Sequence, residues 1–238
     1  VNPVVGILGG MGPGATVDAM QKLIRQTPAR KDQEHIPMIA VSIPDIPDRT
    51  QCILNHSVSP LQKMVEYMKI LENAGASCII IPCNTAHYWF EDLKRHTQLE
   101  MISIIDATCQ QVAEQRVRHV AILATTATVR GEIYQHALAG QQVRCTLPTD
   151  EQQDAVMNSI YAYKAGDVAQ ARALLLPVVA SLRQRGVEKI ILGCTELPLI
   201  LEPEAVAEPD AYLDATDALI KKTIAWYYQQ VTHPPVAA

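Results

Sequence analysis

The chain is poor in aromatic residues: two Trp, eight Tyr and one Phe make up 5% of its 238 residues. A core built on stacked rings is excluded, so the interior has to come from Ile, Leu, Val and Ala within an apolar share of 48%. That composition suits a buried parallel sheet. No apolar run approaches the roughly 18 residues needed to cross a bilayer, which excludes a spanning helix. The first residues lack the basic, apolar and small-residue succession of a secretory signal. The expectation is a cytoplasmic chain with no membrane attachment. An excess of positive charge is missing too: 20 Lys and Arg against 25 Asp and Glu leave −5, which argues against nucleic acid or an anionic membrane as partner. An anionic ligand must therefore be held by local cations.

Several motifs are also absent. There is no CxxC pair, no HExxH and no His/Cys cluster of zinc spacing, so no metal site is expected. There is no Walker lysine. Gly10-Met11-Gly12-Pro13-Gly14-Ala15 fits a GxGxxA turn, but no acidic residue ends the next strand at the distance a dinucleotide ribose needs. NAD binding is rejected. The six cysteines, Cys52, Cys78, Cys83, Cys109, Cys145 and Cys194, have no disulfide-like spacing in a chain long enough to fold without bridges.

What is present is an alternation of short β-branched runs with helical patterns, which predicts an α/β fold with largely parallel sheets. Strands are expected at Val4–Leu8, Met38–Ile43, Ser77–Ile81, Met101–Ile105, His119–Ala124, Val143–Leu147 and Glu188–Leu192. Helices are expected from about Ala15, from a Ser59-Pro60 start to Gly75, and after Asp167 with a kink at Pro177. An amphipathic stretch, Ala215–Val231, should fold back on the first half, and Thr232–Ala238 should fray.

An internal repeat organises these elements. Gly75 lies eight residues before Cys83 in Ile79-Ile80-Ile81-Pro82-Cys83-Asn84-Thr85, and Gly186 eight before Cys194 in Ile190-Ile191-Leu192-Gly193-Cys194-Thr195-Glu196. The opening strands correspond (Val5-Gly6-Ile7-Leu8 with Val120-Ala121-Ile122-Leu123), as do the second strands (Ser42-Ile43-Pro44 with Thr146-Leu147-Pro148). Three matches in one order predict two pseudo-symmetric lobes, each with a mainly parallel sheet flanked by helices, and a site in the cleft between them. The partition is 1–105 plus 209–238 for the first lobe and 106–208 for the second.

Ligands of parallel sheets bind beyond the carboxyl ends of strands, where Cys83 and Cys194 both stand. A thiol there would also sit at the N-terminus of the following helix, which would lower its pKa from about 8.5. Two thiols facing each other across a cleft suit proton transfer on opposite faces of one carbon: one removes a proton, the other returns one, and the centre inverts. Asn84, Thr85, Thr125, Thr126, Thr195 and the N–H groups of Gly9 to Gly12 are candidate donors for the developing charge, or else ordinary caps. Glu196 would tune Cys194 or merely cap a first helical turn. His87, four residues past Cys83, has no third group to make a Cys–His pair and reads as a capping or core histidine.

Gly6-Ile7-Leu8-Gly9-Gly10-Met11-Gly12-Pro13, Ile46-Pro47-Asp48-Arg49-Thr50, Pro82-Cys83-Asn84-Thr85-Ala86-His87, Leu123-Ala124-Thr125-Thr126 and Gly193-Cys194-Thr195-Glu196 together resemble the aspartate/glutamate racemase superfamily, most of all its aspartate racemases. Glu196 resembles the aspartate branch and departs from the histidine usual in glutamate racemases. The resemblance implies a pyridoxal-independent isomerase without cofactor, a homodimer, and a dicarboxylic amino acid as substrate. It implies that Cys83 and Cys194 are the acid/base pair and that Asn84, Thr85 and Thr195 bind one carboxylate. Arg49 and Lys164 would hold the second, with Met11, Thr125 and Glu196 also at the substrate. The activity implied is interconversion of L- and D-aspartate; a broader or glutamate-leaning racemase, or a silent binding relative, is the alternative.

Overall fold

The computed structural model describes residues 2–232. They form two four-stranded parallel sheets of the same order. In the first, β1 (Val5–Leu8), β2 (Met38–Val41), β3 (Cys78–Ile80) and β4 (Glu100–Ile102) are arranged β2-β1-β3-β4. In the second, β5 (His119–Ala124), β6 (Arg144–Thr146), β7 (Lys189–Gly193) and β8 (Tyr212–Asp214) are arranged β6-β5-β7-β8. The register is matched as well: Val5 pairs with Cys78 in one sheet, and Val120 with Lys189 in the other. The two-lobe α/β architecture follows, with all strand pairs parallel.

β1, β3 and nearly all of β5 and β7 are buried, as expected of uninterrupted Ile, Val and Leu runs covered by helices on both faces. In the first lobe these are α1 (Pro13–Gln26), α2 (Arg49–Asn55), α3 (Leu61–Asn73) and α4 (Phe90–Lys94). α5 (Ile104–Glu114) leaves that lobe, and α6 (Thr126–Arg130), α7 (Ile133–Ala139), α8 (Asp150–Lys164), α9 (Val168–Gln184), α10 (Leu197–Ile200) and α11 (Glu202–Ala207) belong to the second. α12 (Ala215–Thr232) closes the description. One apolar core joins Val5, Ile7 and Ile80 with Val120, Ile122 and Ile191 and so unites the lobes. Separate cores cover the outer face of each sheet. Among the described residues, no helix is long and apolar enough to cross a membrane.

Several expected boundaries move for local reasons. α1 begins at Pro13, not near Ala15, because proline at N1 needs no N–H partner. The strand expected at Met101–Ile105 ends at Ile102, where Ser103 accepts a bond from the Asp106 N–H and starts α5. Asp167 caps α9 as expected, and that helix runs through Pro177. The larger correction is β8. Residues 209–238 were assigned to the first lobe, yet Tyr212–Asp214 pairs with β7 in the second sheet. The boundary therefore falls after Asp214. α12 does return to the first lobe: Trp226 Nε1 bonds Glu100 at 2.7 Å, and Gln26 of α1 bonds Asp217. The expected fraying at Thr232–Ala238 concerns residues outside the description, apart from Thr232, which ends α12.

Candidate active site

In a 2-1-3-4 sheet the connections from β1 and β3 leave in opposite directions, which opens a crevice beyond their carboxyl ends. Both lobes turn that crevice toward one another. A cleft of about 380 Å³, its open mouth included, is lined by Met11 after β1, Cys83, Asn84 and Thr85 after β3, Thr125 after β5, and Cys194, Thr195 and Glu196 after β7. Arg49 from α2 and Lys164 from α8 complete it. All ten residues named from the sequence therefore share one cavity. Asp48, Thr50, Met157, Ile160 and Tyr161 line it too and were not foreseen; Ile160 and Tyr161 follow Met157 on α8 by three and four residues, the spacing of one helix face.

Cys194 is buried and its Sγ lies 3.1 Å from Glu196 Oε2. Burial and then the Glu196 carboxylate push this thiol well above its ordinary range. The expected lowering by a helix N-terminus fails at Cys194 because only the four-residue α10 follows it, too short to build an appreciable dipole. Glu196 is itself buried, and its Oε1 lies 3.8 Å from Lys164 Nζ and 3.4 Å from the Gly12 N–H. Burial works against the Lys164 cation, but Glu196 and then Cys194 outweigh it, and the ammonium pKa is raised. Lys164 is the last residue of α8. Arg49 is the first residue of α2. Asp48 caps that helix by accepting the Gln51 N–H, and Arg49 donates to the carbonyls of Ile46 and Pro47.

On the first lobe, Thr85 Oγ1 meets Thr125 Oγ1 at 2.8 Å and Thr128 Oγ1 at 3.2 Å, a hydroxyl bridge between lobes. Asn84 Oδ1 accepts from the Tyr134 hydroxyl, while Asn84 Nδ2 is buried with no partner in the protein. An unmatched buried donor on a cleft wall points to a ligand oxygen. Neither Thr128 nor Tyr134 was foreseen; Thr128 follows Thr125 by one helical turn in α6, and Tyr134 stands on the separate helix α7. Other expected donors are already engaged. The Gly9 N–H bonds Val41 O, that of Gly10 bonds Thr16 Oγ1, and Thr126 accepts from Gln153 outside the cleft. His87 is a core histidine, as read from the sequence: Nδ1 donates to Cys83 O at 2.8 Å and Nε2 accepts the Ile104 N–H at 3.1 Å.

The Asp/Glu/Hydantoin racemase family model matches residues 8–223. The chain belongs to this family. The chain resembles the Picrophilus torridus aspartate racemase in structure, with a TM-score of 0.86, 32% identity and 95% of each chain covered. In sequence it is 27% identical over 230 residues to the "Broad specificity amino-acid racemase RacX" of Bacillus subtilis, across 94% of this chain and 98% of that one. An uncharacterized Pectobacterium carotovorum protein is 55% identical over 150 residues, 63% of this chain and 100% of its own. Among the described residues, no group of three or more His, Cys, Asp or Glu is placed to hold a metal.

Proposed function

We propose that the chain interconverts L- and D-aspartate by moving a proton between Cα and two thiols, Cys83 on one face and Cys194 on the other. The observation that carries this reading is the placement of both cysteines after equivalent strands on one cleft that also holds two cations. Arg49 and Lys164 face the cleft together with Asp48 and Glu196, so the two localised cations, not a net positive charge, answer the carboxylates of aspartate. Arg49 and Lys164 take the distal carboxylate. Asn84 Nδ2, Thr85, Thr125 and Thr195 hold the α-carboxylate, where negative charge builds as the Cα–H bond breaks.

Cys194 rests as a thiol. A Cys83 thiolate takes the Cα proton from one enantiomer, the electron pair moves into the carboxylate as an enediolate, and Cys194 delivers its proton to the opposite face. Cys83 is then the thiol and Cys194 the thiolate, poised for the other enantiomer; the starting state returns when Cys83 gives a proton to solvent and Cys194 takes one from it. Proton and charge balance without a cofactor.

A broader racemase is the second reading. An adjoining cleft shares Arg49, Lys164 and Glu196 and is otherwise lined largely by Gly, Pro and Ala with Val168, room for side chains longer than that of aspartate. Incubating each enantiomer of aspartate, glutamate and a neutral amino acid in D₂O without added cofactor separates the readings. Deuterium uptake at Cα with inversion, fastest for aspartate, is expected. Faster inversion of a longer or neutral side chain favours the second reading, and binding without exchange removes both.

A further inference from the structure

Tyr134 is the largest fully buried side chain of the protein, and it does not line the cleft. It stands on α7 of the second lobe, in the core that joins the two sheets. Its hydroxyl reaches across to Asn84 Oδ1, next to Cys83. Its ring rests on Gly193, next to Cys194: a methyl group at Gly193 would lie 3.0 Å from Tyr134 Cε2 and 3.0 Å from Leu123 O. A side chain at that strand end would crowd the ring and the Leu123 carbonyl alike. One buried side chain touches the residue following one cysteine and the residue preceding the other.

The amide of Asn84 has two ends that differ in use. The phenol O–H donates to the carbonyl end, and turning the amide over would break that bond, leaving the phenol oxygen only to accept and its proton without the carbonyl it now meets. Burial raises the Tyr134 phenol far above its ordinary range, so the proton stays on it. The NH₂ end, with no protein partner, is left for the cleft.

We propose that Tyr134 is a positioning residue: it fixes the Asn84 amide with its donors toward the substrate carboxylate while its ring seats the Gly193-Cys194 strand end. The inference deepens the racemase reading and rests on it for its kinetic part. It predicts that a residue outside the cleft sets the donor strength felt by the enediolate.

Tyr134→Phe keeps the ring and its packing and removes the hydroxyl. Aspartate kcat/KM should fall about ten-fold, the usual worth of one good hydrogen bond to a charged group. The thermal midpoint should shift by a few degrees at most. Adding Tyr134→Phe to Asn84→Ala should change the rate by less than about two-fold, because the amide through which it acts is gone. In ¹⁵N-labelled protein, the Asn84 side-chain NH₂ signals, identified by their loss in Asn84→Ala, should move in Tyr134→Phe. Wild-type kcat/KM in Tyr134→Phe, an unmoved Asn84 signal, or an equal loss with and without Asn84 overturns the proposal. If the wild-type protein inverts no amino acid, the racemase reading fails instead, and the Asn84 signal alone still decides whether Tyr134 orients the amide.

Discussion

The two cysteine-bearing halves share a backbone and differ in how they handle protons. After β3 the chain runs Cys83, Asn84, Thr85, Ala86, His87; after β7 it runs Cys194, Thr195, Glu196, Leu197, Pro198. Thr85 and Glu196 are equivalent positions. Thr85 joins a bridge of neutral hydroxyls, whereas Glu196 faces the thiol and an ammonium. His87 and Pro198 are also equivalent, and only the first can hold its cysteine's carbonyl through a side chain. The proposed reaction, whose two ends have equal free energy, would thus run in an unsymmetrical site. Duplication puts both cysteines on one cleft, and local substitutions surround Cys194 with a carboxylate and an ammonium that Cys83 lacks at the equivalent position.

The largest effects test the pairing itself. Cys83→Ser and Cys194→Ser should each lower racemisation by about 10²- to 10⁴-fold, the usual worth of a positioned acid or base. The remaining thiol can still lift a proton and return deuterium to the same face. Each variant should therefore exchange one enantiomer with retention, and the two variants should choose opposite enantiomers, which chiral chromatography with mass detection reads directly. Exchange of the same enantiomer by both would break the comparison.

Next come the cations that the halves share. Arg49→Ala and Lys164→Ala should each cost aspartate about ten- to a hundred-fold in kcat/KM, the range for a lost bond to a charged group. Neutral amino acids should lose less. Lys164→Ala should do more than weaken binding, because that ammonium opposes the rise of the Cys194 pKa. Equal losses for acidic and neutral substrates would remove the distal-carboxylate assignment.

How much of this was legible in the sequence depended on whether a signal was local or paired. The cysteines, the three matched elements and the donors beside the strand ends could be placed because the Gly-to-Cys spacing repeats and parallel sheets bind ligands at a known edge; Met11, Arg49 and Lys164 were implied only by the resemblance of their motifs to the racemase family. β8 was missed because Tyr212-Leu213-Asp214 is too short to read alone. The repeat held the clue: Ile102-Ser103-Ile104-Ile105-Asp106-Ala107 matches Leu213-Asp214-Ala215-Thr216-Asp217-Ala218, with Ser103 and Asp214 capping the two helices. Tyr134 and Thr128 stayed hidden for a different reason, since their partners lie 50 and 43 residues away in the other lobe. The Cys194 pKa was misjudged because a helix dipole was assumed where burial and Glu196 dominate.

A smaller effect isolates the charged half. Glu196→Gln removes the carboxylate next to Cys194 and should lower kcat/KM about ten-fold. Because the enantiomers have equal free energy, kcat/KM must stay equal in the two directions. The asymmetry can appear only in the separate kcat and KM values, which should diverge in this variant. The sign of the pH effect follows from the thiol. Cys194 delivers a proton only while protonated, so activity falls as pH rises through its pKa. Glu196 raises that pKa, hence Glu196→Gln should bring the alkaline fall to lower pH. An alkaline limb that stays in place would mean that the carboxylate does not act on this sulfur.

The smallest effect on catalysis, and a measurable one on stability, belongs to the neutral half. Burial lowers the His87 pKa from 6.5 to about 4, against the opposing pull of the Cys83 and Asn84 backbone. Between those values the unfolded chain binds a proton that the folded chain refuses, so stability rises with pH across that window. The contribution is fully present above about pH 6.5, is lost as pH falls toward 4, and amounts to about 3 kcal/mol in all. His87→Gln should flatten this slope in denaturant unfolding followed from pH 4 to 7, while changing aspartate turnover at neutral pH far less than any substitution above. Both ring nitrogens are occupied, one by the Cys83 carbonyl and one by the Ile104 N–H, so no lone pair is left to take a substrate proton. If His87→Gln abolished turnover while leaving stability and its pH slope intact, the imidazole would have to reach the substrate, and the division into a neutral first half and a charged second half would be wrong.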